Sequence, residues 1–157
     1  MLKRFMIFLA CLLLAGCSYK QELAPSSTFI PTSAPIDITI YYGNEKADDF
    51  ETIVYEVYYF NSTTLIEKLI EVGVLSHGVT LLSESYDGSC LHLDFNDAFR
   101  DLLCSTGTAG EYMIIGSLVN TFLDNNRDVA KTIFITVNGE ILESGHVIYD
   151  FELSYYE

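Results

Sequence analysis

The chain has 157 residues, half of them hydrophobic, with 22 acidic and 8 basic residues and a formal charge of −14 at pH 7. This length favours a single domain and is sufficient for a hydrophobic core. The strong negative charge disfavours binding to nucleic acid or to anionic lipid, because both are polyanions.

The N-terminus has the parts of a secretory signal in the expected order. Lys3-Arg4 precedes an uncharged apolar run over residues 5–14, which is shorter than the roughly 20 residues that span a bilayer. The run ends in Leu14-Ala15-Gly16-Cys17, which resembles the lipobox of bacterial lipoproteins. That resemblance implies cleavage between Gly16 and Cys17 and a covalent diacylglycerol group on the Cys17 thiol. Two acyl chains, such as palmitate, would anchor the protein durably.

Removal of residues 1–16 would leave 141 residues with a formal charge of −16, because two basic residues leave with the signal. An ordinary cleaved signal that happens to end in a cysteine is the alternative. We expect the lipid-anchored form, held on the extracytoplasmic face of the cell membrane. Residues 17–35 contain all three prolines and many small polar residues, which indicates a flexible tether with a reach of roughly 25 Å. The globular domain is predicted over 36–157.

Alternation over residues 36–40 predicts a first strand, and a polar turn that begins at Gly43 leads to a second strand over 53–59. A capping-box pattern, Thr64 with Glu67, predicts the start of a helix. Gly73 is predicted to end this helix.

A hairpin is predicted over residues 79–95, with Asp87-Gly88 as its turn. Asn96 is predicted to cap a short helix after the hairpin. The returning strand places three large apolar side chains on one face: Leu91, Leu93 and Phe95.

A second capping box, Thr108 with Glu111, predicts a long helix over about 109–124. A strand over 132–137 follows, then a hairpin turn at Asn138-Gly139 and a last strand over 147–153. Strands grouped in hairpins with helices between them predict an α+β domain, with an antiparallel or mixed sheet and helices on one face.

Two cysteines besides Cys17 would remain in the mature chain, Cys90 and Cys104. In an exported protein such a pair can be a disulfide or two buried thiols, and the spacing leaves both alternatives open.

The stretch from Val79 to about Leu153 resembles the GerMN domain family, which is named for a sporulation and germination lipoprotein. The resemblance depends on the order of several blocks as well as on their residues. These blocks are Leu91–Phe99, Glu111 opening the long helix, Val119–Leu123 closing it, the strand Thr132–Gly139 and the dipeptide Gly145-His146.

With a looser match to the earlier strands, the resemblance covers roughly 36–157, as one copy of the domain. It implies a sheet covered by helices, similar to the ring-building motifs of secretion-like assemblies. It also implies a non-catalytic interaction module that binds an envelope protein in sporulation or germination, with oligomer or ring assembly as a further implication.

Candidate catalytic residues are few. His92 shares a predicted strand face with Asp94, and Asp97 follows, so the three could form an acid–base or metal cluster. A solvated strand face has the same pattern, and we favour it. His146 is interpreted as a turn-stabilising residue. We expect no catalytic centre, no metal and no cofactor apart from the lipid.

A second functional hypothesis is a cell-wall glycan binder or hydrolase, with surface carboxylates such as Asp94 and Asp97 as acid and base. The first hypothesis instead assigns recognition to unpaired sheet edges and exposed tyrosines. Tyr58 and Tyr155 are the candidate contact residues.

The lipobox generates the first testable prediction. Cys17→Ala should abolish lipid attachment and block normal processing, because the thiol is the acylated group. Metabolic labelling with a fatty-acid probe measures this directly. Equal labelling of the variant and the parent protein would contradict lipid attachment at Cys17.

Overall fold

The structure is a computed structural model that describes residues 34–157. The signal over 1–16, its cleavage site at Gly16 and Cys17, and the tether as far as residue 33 lie outside the described residues. In the part that is described, no helix is long and apolar enough to cross a membrane.

Groups of two or three strands are separated by one or two helices along the chain, which confirms the predicted α+β fold class. Residues 34–157 form these elements: β1 (Ile36–Gly43), β2 (Phe50–Val57), α1 (Ser62–Glu71), β3 (Leu81–Asp87), β4 (Cys90–Phe95), α2 (Asp97–Cys104), α3 (Thr108–Asn125), β5 (Thr132–Val137), β6 (Glu140–Glu143) and β7 (Ile148–Tyr149).

The last five strands form one mixed sheet in the order β3-β4-β5-β6-β7. β4 and β5 are parallel, with Leu91 opposite Ile133, and the other neighbours are antiparallel. A parallel pair needs a long crossover connection, and α2 with α3 supplies it. The predicted final strand is shorter than expected, because β7 has two residues and the chain then rejoins β5 only through a bridge between Leu153 and Ile133.

The core lies between the helices and one face of this sheet. Leu91, Leu93 and Phe95 of β4 are fully buried on that face, as predicted. The Phe99 ring of α2 packs on Phe95 with ring centroids 4.6 Å apart. Alternating residues of β5 extend the same apolar layer: Ile133, Ile135 and Val137.

The helix α3 is buried nearly all round, whereas the sequence predicted one apolar face. Every residue from Ile115 to Leu123 is buried, and so are Glu111 and Met113. A helix buried on all sides packs between two layers. Here the core side chains of the five-stranded sheet lie on one side and β1 lies along the other. Gly116 permits this approach, because a Cβ atom there would overlap the Phe50 ring.

Polar side chains of α3 complete the hydrogen bonding of β1. On one side β1 pairs with β2 over eight residue pairs. On the other side Asn125 Oδ1 accepts from the Thr39 N–H at 3.0 Å, and Asn125 Nδ2 donates to the Thr39 carbonyl at 2.6 Å. Thr121 Oγ1 accepts from the Tyr41 N–H at 2.9 Å. The helix therefore substitutes for a third strand along this edge.

The C-terminal tail is fixed to α3 in the same way. Asn120, which is buried, accepts from the Tyr156 N–H at 2.8 Å and donates to the Tyr156 carbonyl at 2.9 Å. An unpaired buried amide would cost free energy, so this pairing explains why an asparagine is tolerated inside the domain.

The start of α1 differs from the predicted cap, whereas its C-terminal end agrees with the prediction. Asn61 caps α1 by accepting from the Thr64 N–H at 2.8 Å, so the capping box predicted at Thr64 is wrong. At its other end Gly73 has φ +82°, and the Val74 N–H bonds the Leu69 carbonyl at 2.9 Å in a Schellman arrangement.

The predicted cap of α3 is also wrong. Gly107 occupies the cap position without a side-chain bond, and Glu111 turns into the interior instead of back to the helix start. Asn96 does occupy the cap position of α2, but its side chain bonds the Thr80 N–H and the Gly78 carbonyl.

One hairpin turn is confirmed and the other shifts by a residue. Asn138 and Gly139 have φ values of 52° and 77°, as a type I′ turn requires. The turn between β3 and β4 is Gly88-Ser89, one residue later than predicted, because Asp87 pairs with Cys90.

The two cysteines do not form the disulfide that the sequence left open, since both are free thiols. Cys90 begins β4, and its side chain points to the sheet face opposite Leu91 because strand residues alternate. α2 ends at Cys104 and packs on the core face through Phe99 and Leu103. The sheet therefore lies between the two sulfur atoms.

The bonds between α3 and β1 generate a prediction about stability. Asn125→Ala should lower the free energy of unfolding by about 2–6 kcal/mol, because it leaves two partly buried main-chain groups of Thr39 unpaired at about 1–3 kcal/mol each. Asn126→Ala is the matched control, since its side chain makes no bond to β1: Nδ2 donates to the Phe122 carbonyl, which the Asn126 N–H already bonds, and Oδ1 accepts from the exposed Tyr86 Oη at 3.4 Å. Urea denaturation measures both, and equal losses would contradict the strand-mimicking role of Asn125.

Candidate interaction surface

The three residues considered as an acid–base or metal cluster each have a structural partner. Asp94 Oδ1 accepts from Thr136 Oγ1 at 2.7 Å and from the Gly139 N–H at 2.8 Å, which ties β4 to the turn between β5 and β6. Asp97 pairs with Arg100 at 2.9 Å in the first turn of α2.

His92 lies on the outer face of the sheet, as predicted, and its ring packs on Phe134 with centroids 5.4 Å apart. Within residues 34–157, no group of three or more His, Cys, Asp or Glu side chains is arranged to hold a metal ion. The structure therefore does not bring His92, Asp94 and Asp97 together as one chemical site.

The carboxylate of Glu111 is the polar centre that the sequence interpretation missed. It is 2% exposed, and its Oε1 accepts from Tyr149 Oη at 2.6 Å and from Ser144 Oγ at 2.5 Å. Ser144 Oγ in turn accepts from the Val147 N–H at 2.9 Å. These bonds attach the segment after β6 to the start of α3.

A signal for this role was present in the sequence. Glu111 falls on the same helical stripe as Ile115, Leu118 and Phe122, all fully buried. An acid on an apolar stripe is a buried carboxylate in need of hydrogen-bond donors. The capping-box pattern offered a competing explanation for the same residue.

His146 stabilises a turn, in agreement with its interpretation. Its main-chain N–H donates to Ser144 Oγ at 3.1 Å, and its Nε2 lies 3.2 Å from the Thr106 carbonyl. The side chain thus links the loop after β6 to the loop before α3.

A cleft of about 370 Å³ lies where the β1–β2 turn meets the ends of α1 and α2. Its walls are mainly apolar, and none of its lining residues is Asp, Glu, Lys, Arg or His. Glycoside hydrolysis usually needs two carboxyl groups across the scissile bond, so this cleft lacks the groups for that chemistry.

Several exposed aromatic side chains lie together beside the C-terminal tail. Tyr112 contacts Tyr156 with ring centroids 5.1 Å apart, and Tyr41 contacts Tyr155 edge-on at 5.8 Å. Phe151 borders a shallow cleft beside them, of about 350 Å³. We call this the aromatic surface, and its exposed members are Tyr112, Phe151 and Tyr155.

The two tyrosines proposed as contact residues are both exposed, Tyr58 by 48% and Tyr155 by 47%. Tyr155 belongs to the aromatic surface, where burial and its hydrogen bond to Tyr41 raise its pKa. Tyr58 follows β2 with two further exposed aromatic residues, Tyr59 and Phe60. Within residues 34–157, no ring contact joins Tyr58 to Tyr155.

The β1–β2 hairpin is the second exposed feature. Its strand β2 has exposed apolar side chains on both faces, Ile53 by 39% and Val54 by 59%. Across the strands, Asp37 lies directly opposite Glu56, and both are exposed. We call β2 and its outward main-chain groups the β2 edge.

The Glu111 network generates a prediction about pH. Burial, together with the bond to Glu111, raises the pKa of Tyr149 above its ordinary value. Below about pH 10 the tyrosine is protonated in both the folded and the unfolded state. Above that pH it ionises in the unfolded state but stays protonated in the folded state, so the unfolded state is favoured progressively as the pH rises. The free energy of unfolding should therefore fall above about pH 10.

Tyr149→Phe should make the free energy of unfolding fall less steeply with pH, by up to about 1.4 kcal/mol per pH unit. That is the contribution of one proton that the folded state keeps and the unfolded state releases. Ser144→Ala is the control, because it removes a bond to Glu111 without removing a phenol. Denaturation at several alkaline pH values measures both slopes. An unchanged slope in Tyr149→Phe would contradict the assignment.

A solved structure shows the same fold. The chain is similar to the tandem GerMN domains of the sporulation protein GerM from Bacillus subtilis, with a TM-score of 0.60 and 18% identity. The match covers 84% of this chain and 50% of that one, so this chain spans about half the length of the tandem protein. A structure described as a candidate lipoprotein from Clostridium perfringens has a TM-score of 0.49 and 14% identity, covering 77% of this chain and 88% of that one.

No curated protein sequence matches the chain significantly. A family profile described as "Germane: Sporulation and spore germination" does match, over residues 39–143. The matched range contains most of the hairpin, all three helices and the sheet through β6. The resemblance to GerMN domains found in the sequence is therefore confirmed, and the chain belongs to the Germane family of sporulation and spore germination domains.

Proposed function

We propose that this chain is a lipid-anchored lipoprotein on the extracytoplasmic face of the membrane, with a GerMN domain that acts as a non-catalytic interaction module. Its partner is an envelope protein, and the complex serves sporulation or germination. The family description supports the process, since the profile matches most of the chain.

The lipobox at Leu14-Ala15-Gly16-Cys17 supports the anchor, and the tether after Cys17 gives the domain its reach. The covalent lipid would be the only prosthetic group. A domain tethered in this way meets its partners at high local concentration near the membrane, so even a modest interface can be effective.

One observation carries the interaction role. Asp94 and Asp97, the acids considered for catalysis, are engaged in structural bonds, and so is the buried Glu111. Apolar and aromatic side chains are instead exposed at the aromatic surface and the β2 edge. Aromatic residues are enriched in protein interfaces, because their large rings bury much area at low cost in side-chain entropy. The exposed surface thus favours recognition over catalysis.

The charge of the chain sets the class of partner. With 22 acidic and 8 basic residues, the protein is repelled by nucleic acid, anionic lipid and anionic wall polymer. A protein surface with a basic or apolar patch is not repelled in this way. A basic patch is also attracted by the negative electrostatic field of this chain. Residues 36–157 should accordingly show no measurable binding to nucleic acid.

A cell-wall glycan remains the second candidate, because exposed rings such as Tyr112 and Tyr155 can also stack on sugars. The two hypotheses separate with purified protein and intact peptidoglycan. Release of soluble fragments would support a hydrolase, and retention without release would support a glycan binder. Neither is expected for an interaction module.

In-cell photocrosslinking is the direct test of the partner. A photoreactive residue at position 58 or 155 of the full chain should capture a discrete envelope protein, identified by mass spectrometry. Tyr58→Ala should then weaken binding to that protein at least tenfold, as loss of an interface hot spot does. Recovery of glycan alone would replace this proposal with the glycan hypothesis.

A further inference from the structure

We propose that the β2 edge binds an extended, basic segment of a partner protein as an added strand. The inference rests on the interaction role proposed above and specifies its surface and the chemistry of the partner. Three features of the hairpin carry it: a regular unpaired edge, apolar side chains on both faces of the strand, and an uncompensated acidic pair.

Within residues 34–157, the unpaired edge of the hairpin lies on β2. β1 is occupied on both sides, by β2 and by the side chains of Asn125 and Thr121. In this part of the chain β2 has a neighbour on one side, in a regular register over eight residue pairs. An edge of this kind offers main-chain donors and acceptors to another chain.

The other long edge strand, β3, is protected in a way that β2 is not. Its pairing with β4 shifts register between Leu81 and Ser83. Irregularities of this type disturb an edge and discourage further pairing. β2 has no such shift, and neither β1 nor β2 contains a lysine, proline or arginine that would block it.

Side chains of β2 are available on both faces of the hairpin. Ile53 and Tyr55 lie on the face that packs toward α1, where Lys68 sits over the Tyr55 ring at 4.3 Å. Val54 and Glu56 lie on the opposite face. An added strand would cover the exposed parts of Ile53 and Val54, which gives the contact an apolar component besides its main-chain bonds.

The acidic pair indicates the charge of the partner. Asp37 and Glu56 are directly opposite in the register, where Cβ atoms are about 4.5–5.5 Å apart and like charges destabilise a sheet. Arg127 lines the same cleft as Asp37 but pairs with Asp124 at 3.0 Å. A lysine or arginine of an added strand next to Glu56 would relieve this repulsion.

A second copy of this chain fits the edge poorly. Two β2 strands paired antiparallel over all eight residues would place Glu51 opposite Glu56 at both ends of the contact. Each copy also carries a formal charge of −14. The partner strand is therefore a different sequence, with apolar residues beside Ile53 and Val54 and a basic residue beside Glu56.

Binding can be measured with defined peptides and the detergent-solubilised full chain. The probe is a ten-residue peptide of valine and lysine, with adjacent valines at its centre to cover Ile53 and Val54 on the two faces and lysines toward its ends. One comparison peptide has glutamate in place of lysine, and another has a central proline. Only the first should bind, and its affinity should fall as salt rises. Equal binding of the proline peptide would overturn the inference, because it would show charge attraction without strand pairing.

A pair of variants tests the site. Glu56→Lys places opposite charges across the hairpin, so its unfolding midpoint should rise while affinity for the valine–lysine peptide falls at least tenfold. Glu84→Lys, an exposed acid on β3, makes the same charge change and should leave affinity within twofold of the parent. Equal losses in both variants, or no loss in Glu56→Lys, would contradict a site at β2.

Crosslinking in cells separates this inference from the proposed function. A photoreactive residue at position 54 should capture an envelope protein through an extended segment that contains lysine or arginine. Capture from position 155 but not from position 54 would leave the proposed function standing and overturn this inference. Capture of a second copy from position 54 would also overturn it, and capture of no protein from either position would overturn both.

Discussion

The burial of α3 nearly all round is the constraint on which the rest of the structure depends. Unpaired polar groups in such a helix cost free energy, and four of its polar side chains, Glu111, Asn120, Thr121 and Asn125, bond other segments. Each of the four bonds another segment: the loop and strand after β6, the C-terminal tail, or β1. Apolar contacts bring these layers together, and the four polar residues set how each segment lies along the helix.

This arrangement determines which surfaces remain available. Because α3 completes the outer side of β1, the edge of the hairpin that stays unpaired in the described part of the chain is the outer edge of β2. Because Asn120 holds the tail at Tyr156, the neighbouring rings of Tyr112 and Tyr155 stay together at the surface. Both exposed features are thus consequences of bonds made inside the domain, and they border a rigid support. Recognition sites placed on rigid elements lose little entropy on binding.

The positions of three carboxylates support the proposed recognition role over catalysis. General acid–base chemistry needs carboxyl groups that converge on a substrate and keep free lone pairs. Asp94 uses its oxygen to hold a turn, Asp97 pairs with Arg100, and Glu111 lies under Ser144 and Tyr149. Within residues 34–157 the remaining acids lie at or near the exterior, where they contribute to the negative field of the domain.

The sequence by itself determined the α+β class, the core faces of β4 and β5, the Asn138-Gly139 turn and the family, because these follow from local alternation, turn chemistry and block order. Tertiary structure decided the rest. The packing around α3 decides whether Glu111 caps the helix or lies in the interior. The faces of the sheet on which Cys90 and Cys104 lie decide whether the two cysteines meet. Local patterns state which residue prefers burial or a turn, but only the packed layers decide which partner it finds there.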